Sequence, residues 1–101
     1  MTETFQALAS PVRRQILTLL KEGEMSAGEI ADRLTVSKPT LSGHFNILKA
    51  ADLVSARRDG TTITYRLNAS VLEEVLVGFL DMIGLKNPGA GRADDIKEAK
   101  E

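Results

Sequence analysis

The period of the hydrophobic pattern changes twice along the chain, and this change most limits how the chain can fold. Apolar residues recur at helical spacing in the first half, alternate with polar ones over residues 53–67, and return to helical spacing over residues 68–85. Within the alternating region, Asp59-Gly60 separates the β-rich runs 53–58 and 61–67, which predicts a β-hairpin. The pattern therefore predicts a mainly α-helical protein with one small β-hairpin.

Four helices are predicted before the hairpin, and serines stand where N-cap residues are expected, at Ser10, Ser26 and Ser37. The third and fourth helices are joined by a tight turn, which predicts a helix-turn-helix. With the hairpin and a last helix, the order becomes α-α-α-α-β-β-α, which is that of a winged helix-turn-helix. The four helices are predicted at residues 2–9, 10–22, 26–34 and 37–50.

The fourth helix is the candidate DNA recognition helix. Leu41, Phe45 and Leu48 lie on one face of it, so the opposite face carries small or polar residues that let the backbone approach a groove. The single histidine, His44, lies beside the apolar face, where it either forms a hydrogen bond within the protein or reaches a phosphate. The residues of this helix predicted to face DNA are Ser37, Lys38, Thr40, Ser42, Gly43, His44 and Asn46.

Positive charge is concentrated in the middle of the chain, although the formal net charge is −1. Residues 36–68 hold five basic and two acidic side chains, which favours a nucleic-acid partner. The hairpin carries Arg57, Arg58 and Arg66 around Gly60, and such a wing can reach the minor groove or its phosphates. The alternative is that Arg57 and Arg58 only keep the sheet edge soluble.

The last helix is too apolar for the exposed end of a 101-residue monomer, which predicts a two-fold dimer formed by the first and last helices. The alternative is that this helix closes a monomer core. The predicted DNA-binding and dimerisation domain covers residues 1–86, and residues 87–101 are predicted to be a polar, flexible tail. The predicted dimer residues are Phe5, Leu8, Leu72, Val75, Leu76, Phe79, Leu80 and Ile83.

Composition argues against several other classes of protein. There is no cysteine and only one histidine, so neither a metal site nor another cofactor is expected. No nucleophile is paired with a base and no glycine-rich phosphate loop is present, so an enzyme is not expected. No apolar run approaches the ~18–20 residues of a membrane span, and the N-terminus lacks the features of a signal peptide, so the chain is expected in the cytoplasm.

Three segments resemble the ArsR-type bacterial repressors. Residues 9–17, Ala-Ser-Pro-Val-Arg-Arg-Gln-Ile-Leu, are similar to the family's opening (S/A)-(D/S)-P-x-R-x-x-I-L. Residues 37–49 are similar to its recognition helix, S-x-x-x-S-x-H-L-x-x-L. Residues 51–54, Ala-Asp-Leu-Val, with the arginines, glycine and tyrosine that follow, are similar to its wing, A-G-L-(V/I)…R…G…Y. Within the family, the cysteine-free chain with its long last helix resembles the SdpR-like autorepressors.

The resemblance implies a homodimeric winged-helix repressor that binds double-stranded DNA near its own gene. It also implies a membrane-protein anti-repressor as a partner. Many members have His-His where this chain has Gly43-His44, so one side chain at the DNA-facing pole is missing and the operator sequence cannot be borrowed. Metal-sensing members carry ligands that this chain lacks, so metal-responsive release is not expected. Two rival functions remain open: a winged helix that binds another protein, and a repressor with a small-molecule pocket at the dimer interface.

Overall fold

The computed structural model describes residues 2–85, so the predicted tail at residues 87–101 lies outside the described residues. The chain divides into two compact units, and the boundary lies between residues 69 and 70. The helices are α1 (Thr2–Leu8), α2 (Pro11–Leu20), α3 (Ala27–Arg33), α4 (Lys38–Ala50) and α5 (Ala69–Met82), and the strands are β1 (Met25–Ser26), β2 (Val54–Asp59) and β3 (Thr62–Leu67).

The three predicted serine N-caps are confirmed. Ser10 Oγ accepts a hydrogen bond from the backbone N–H of Arg13, and Ser37 Oγ accepts one from the N–H of Thr40. Ser26 and Glu29 form a reciprocal capping box, in which the Ser26 N–H donates to the Glu29 carboxylate and holds the pKa of that group below its usual value. Local side chains therefore set where α2, α3 and α4 begin.

The sheet has three strands in the order β1-β3-β2, all antiparallel, and β1 was not predicted. A strand of two residues has no periodicity to detect, and it forms only because Met25 pairs with Tyr65 from the hairpin. The hairpin turn also lies one residue later than predicted, at Gly60-Thr61, because Asp59 pairs with Thr62. Gly60 occupies the first turn position with φ 61°, a conformation that favours glycine.

The core of residues 1–69 lies between the helices and the core-facing side of the sheet. Leu41, Phe45 and Leu48 of α4 are buried, as their spacing predicts, and the ring of Phe45 stacks on Tyr65 with centroids 4.0 Å apart. Burial raises the pKa of Tyr65. Helix α4 therefore packs against the hairpin through aromatic contact, which sets the relative positions of the two predicted DNA-binding elements.

Helix α4 ends at Ala50, and two residues later Asp52 has φ 60°, the only positive φ of a non-glycine residue among residues 2–85. The Leu53 N–H donates to the Leu48 carbonyl at 3.0 Å, which is the bond of a Schellman-type helix end. The resemblance places glycine at this position, where the left-handed conformation costs nothing. Asp52 thus carries backbone strain that glycine would relieve.

We expect Asp52→Gly to raise the free energy of unfolding by about 0.5–1 kcal/mol, since the relief of strain exceeds the added entropy of the unfolded chain. For a domain of this size, this corresponds to a melting temperature about 2–8 °C higher. Alanine tolerates a positive φ less well than aspartate or glycine, so Asp52→Ala is expected to lower the free energy of unfolding. Thermal unfolding followed by circular dichroism measures both, and a lower melting temperature for Asp52→Gly would show that the Asp52 side chain stabilises the turn.

The last helix, α5, has no buried residue. It begins at Ala69, so Ser70, although spaced from Glu73 as in a capping box, lies in the first turn of the helix and not at its N-cap position. Leu76 is 43% exposed and Ile83, just beyond the helix, is 54% exposed. Among residues 2–85, no helix is long and apolar enough to cross a membrane.

Candidate nucleic-acid interface

The N-terminus of α4 presents hydroxyl groups and one free cation. Ser37 Oγ lies 3.0 Å from Thr40 Oγ1, and this pair caps the helix while remaining exposed. Lys38 follows directly, is exposed, and forms no ion pair within the described part of the chain. Helix N–H groups, two hydroxyls and an ammonium at one helix end form a surface suited to a phosphate.

The outer face of α4 is open. Ser42, Gly43 and Asn46 are all exposed. Gly43 and Asn46 lie opposite the buried face of the helix, and Ser42 lies to the side of it. A Cβ atom placed on Gly43 would meet no atom within 4 Å apart from its chain neighbours and the backbone of its own helix. The absence of a side chain at Gly43 therefore serves no packing purpose in the free protein, and it lets another molecule approach the helix backbone.

His44 is half-buried and differs from the other predicted contacts because its Nδ1 faces inward. That atom lies 3.0 Å from a terminal nitrogen of the Arg13 guanidinium on α2. Burial, followed by the charge of Arg13, lowers the pKa of His44. Only Nε2 of the ring is available to a partner outside the protein.

The three arginines of the wing do not share one face of the hairpin. Arg57 pairs with Thr64 and Arg66 with Ser55, which places both arginines on the solvent side of the sheet. Arg58 pairs with Ile63 and points to the opposite side. Alternation along a strand makes this separation unavoidable for Arg57 and Arg58. Arg58 and Arg66 are exposed and form no ion pair within residues 2–85.

Arg57 is held by two carboxylates. Its guanidinium lies 3.3 Å from Glu24 in the loop before β1 and 3.3 Å from Asp59 at the end of β2. These hydrogen bonds raise the pKa of Arg57. Sequence reasoning missed Glu24, because it is 33 residues from Arg57 and only strand pairing brings the two together. A DNA phosphate would have to compete with Glu24 for this guanidinium.

We expect Glu24→Gln to tighten binding to any DNA duplex, most strongly at low salt, because it removes the carboxylate that competes for Arg57. Glu22→Gln is the matched control, since it removes the same charge from the same loop but its carboxylate approaches only Lys21, at 4.0 Å. Fluorescence anisotropy across a salt series measures both variants. Equal tightening in the two would mean that only the overall charge matters and that Glu24 does not compete.

Among the described residues, no three His, Asp or Glu side chains lie close enough together to hold a metal ion. The candidate site consists of hydroxyls, amides, backbone N–H groups and basic side chains, which is the chemistry of a phosphate- and base-contacting surface.

Known proteins share both the sequence and this fold. The profile described as "Bacterial regulatory protein, arsR family" matches residues 10–56. The transcriptional repressor SdpR of Bacillus subtilis is 46% identical over 83 residues, which cover 82% of this chain and 92% of SdpR. The chain belongs to the arsR family of bacterial regulatory proteins.

Other transcriptional regulators extend the match. The HTH-type transcriptional regulator KmtR of Mycobacterium tuberculosis is 36% identical over 92 residues, which cover 91% of this chain and 71% of KmtR. The solved structure of an ArsR-like transcriptional regulator from Rhodococcus sp. RHA1 superposes with a TM-score of 0.72 at 35% identity, covering 82% of this chain and 77% of that one.

Family membership confirms three of the predictions made from the sequence. The protein is a transcriptional repressor of the arsR family, its fold is a winged helix-turn-helix, and it is not an enzyme, because the members of this family are transcriptional regulators.

Proposed function

We propose that this arsR-family protein represses transcription by binding a short inverted repeat in DNA as a homodimer, including one in its own promoter. The observation that carries the proposal is the open outer face of α4, where Gly43 has no neighbour within 4 Å of its Cβ position. A helix with a bare backbone on its exposed face can lie deep in a major groove. Ser42 and Asn46 then stand beside the backbone with groups that hydrogen-bond to base edges.

The charges around this face supply the affinity for the phosphates. Lys38 lies at the N-terminal end of α4, and Arg58 and Arg66 lie on opposite faces of the wing, so these cations can reach different phosphates. A protein that neutralises several phosphates binds DNA with a steep dependence on salt, with a slope of about −0.9 per contact on logarithmic axes. Glu24 lowers the contribution of Arg57 in the free protein.

The exposed apolar stripe of α5 supports the dimer. Leu76, Ile83 and the other residues on this side of the helix are apolar, yet no residue of the helix is buried in the single chain. A second copy of the chain that covered this stripe with its own first and last helices would remove it from water. A two-fold dimer would also place two recognition helices about 34–36 Å apart, one turn of DNA, and so would select an inverted repeat.

Release of this repressor is proposed to be independent of metal ions. The chain has no cysteine and a single histidine, and the Nδ1 atom of that histidine is occupied by Arg13. The chain therefore has no thiolate and cannot supply the cluster of imidazoles that a transition metal prefers.

Fluorescence anisotropy with the DNA upstream of the protein's own gene tests the proposal, with a scrambled duplex as competitor and a series of salt concentrations. We expect a strong preference for the upstream DNA and a steep salt slope. Weak binding that does not respond to salt would contradict the proposal and would favour a protein partner for the same surface. A steep dependence of affinity on salt without a preference for the upstream DNA would mean that the protein binds DNA but that its operator lies elsewhere.

A further inference from the structure

Arg13 connects three helices of the first compact unit. Its Nε donates to the Ala7 carbonyl at 2.8 Å and one terminal nitrogen donates to the Gln6 carbonyl at 2.8 Å, both in the last turn of α1. Its other terminal nitrogen lies 3.0 Å from His44 Nδ1 on α4. Arg13 itself is in the first turn of α2. One guanidinium thus joins the C-terminus of α1 to the recognition helix.

The geometry determines where the proton of His44 resides. A guanidinium can only donate hydrogen bonds, so Nδ1 must accept, and the neutral ring carries its proton on Nε2. The recognition helix therefore presents a neutral N–H donor, and not a lone pair, on the side of His44 that faces away from Arg13. A protonated His44 could no longer accept from Arg13, and two cations would then face each other across 3.0 Å.

Arg13 is the charge that acts on His44. After burial, it is the charge of Arg13 that lowers the pKa of His44. Helices α1 and α2 and strand β2 pack against α4, and they and α4 itself carry further charged residues. These residues are Glu3 on α1, Arg14 on α2, Arg57, Arg58 and Asp59 on β2, and Lys38 and Lys49 on α4.

We propose that Arg13 is a positioning residue for DNA binding: its guanidinium fastens α4 to the end of α1 and orients His44 so that Nε2–H faces the DNA backbone. This inference rests on the proposed function, because it assigns the orientation of a residue on the DNA-facing helix. It adds that the first turn of α2, which lies outside the helix-turn-helix and the wing, controls the recognition helix.

The pH dependence of folding follows from the same contact. Since the pKa of His44 is lowered in the folded protein, the unfolded chain binds a proton more readily as the pH falls below 6.5. Stability is therefore expected to be fully present above pH 6.5 and to decline as the pH falls from 6.5 through the folded pKa. His44→Asn keeps an acceptor at the Nδ1 position without a titratable ring, so we expect this decline between pH 7.5 and 5.5 to be weaker in that variant.

Because the chain contains one histidine, NMR of the ring gives an unambiguous signal. We expect the neutral ring of the full chain to be the Nε2–H tautomer. In Arg13→Met, which keeps the aliphatic stem, we expect a mixture of tautomers and a pKa closer to 6.5. Arg14→Met is the matched control: Arg14 also donates to α1, to the Leu8 carbonyl at 2.7 Å, and carries the same charge, but it does not contact His44.

DNA binding provides the functional measurement. We expect Arg13→Met to bind the upstream DNA about tenfold more weakly than Arg14→Met, as the loss of a charge-assisted hydrogen bond predicts. An unchanged tautomer in Arg13→Met would overturn the proposal, and so would equal affinities of the two variants. If Arg13→Met does not fold, the tautomer of His44 in the wild-type protein tests the proposal. An Nδ1–H tautomer overturns it, and an Nε2–H tautomer supports it.

The two proposals fail in different ways. If the wild-type protein shows no preference for any DNA while its ring is the Nε2–H tautomer, the proposed function fails and the contact between Arg13 and His44 stands as a structural one. If the wild-type protein binds its operator and Arg13→Met binds it as well as Arg14→Met does, only the positioning role is overturned.

Discussion

Leu76→Asp is expected to yield a folded monomer that has lost about 100-fold or more of its affinity for an inverted repeat. Leu76 is the exposed centre of the apolar stripe on α5, and a carboxylate there would be buried without a partner in a dimer. A monomer binds each half-site independently. It therefore loses the gain in affinity that comes from linking the two half-sites, which is about 10²–10⁴-fold. Light scattering measures the mass, and anisotropy measures the affinity.

Ser70→Asp is the matched control for this prediction. It adds the same charge to the same helix, on the polar face next to Glu73 and Glu74, where it should leave both mass and affinity unchanged. A Leu76→Asp variant that remains a dimer would contradict the interface placement. A monomeric variant that keeps full affinity for the repeat would contradict the link between dimerisation and DNA binding.

Side chains added at position 43 are expected to stabilise the free protein and to weaken operator binding. Alanine in place of this mid-helix glycine meets no atom within 4 Å and raises helix propensity, so Gly43→Ala should increase the free energy of unfolding by about 0.5–1 kcal/mol. Leucine at the same position should also stabilise the helix. In the proposed complex, however, this is where the helix backbone approaches the groove, so operator affinity should fall from glycine to alanine to leucine.

For Gly43→Leu we expect a loss of about 10- to 100-fold on the operator, comparable with the cost of one wrong base pair, ~1–3 kcal/mol. Gly28→Ala on α3 is the control, since that glycine is also exposed and helical but lies outside the predicted DNA-facing set. Thermal unfolding and anisotropy are measured on the same preparations. Tighter operator binding by Gly43→Leu would show that this face does not lie close to the DNA.

The predictions from sequence were accurate where a few neighbouring residues determine the structure. The caps at Ser10, Ser26 and Ser37 involve partners only three residues away, so spacing alone identified them. The buried face of α4 followed from the period of its apolar residues, because a helix repeats every 3.6 residues. The turn at Gly60-Thr61 was misplaced by one residue, because Asp-Gly and Gly-Thr both suit a two-residue hairpin and only strand pairing chooses between them.

In the candidate site, too, local features could be predicted from the sequence and long-range contacts could not. Exposure of Ser42, Gly43 and Asn46 could be predicted, since none of these residues lies on the buried stripe of the helix. The partners of Arg57 could not, because Glu24 reaches it only through the pairing of β1 with β3. The strained cap at Asp52 was equally hidden, since aspartate by itself does not indicate a left-handed residue.

By itself, the sequence determined the helices, the hairpin, the family and the solvent-exposed face of α4, because each depends on short-range spacing. Only the tertiary structure showed the third strand, the pairing of Arg57 with Glu24, and the guanidinium of Arg13 shared between α1 and His44. The physical reason is that polar side chains far apart in sequence have no periodicity in common. Their contacts exist only once the packing of the core has brought their backbones within hydrogen-bonding reach.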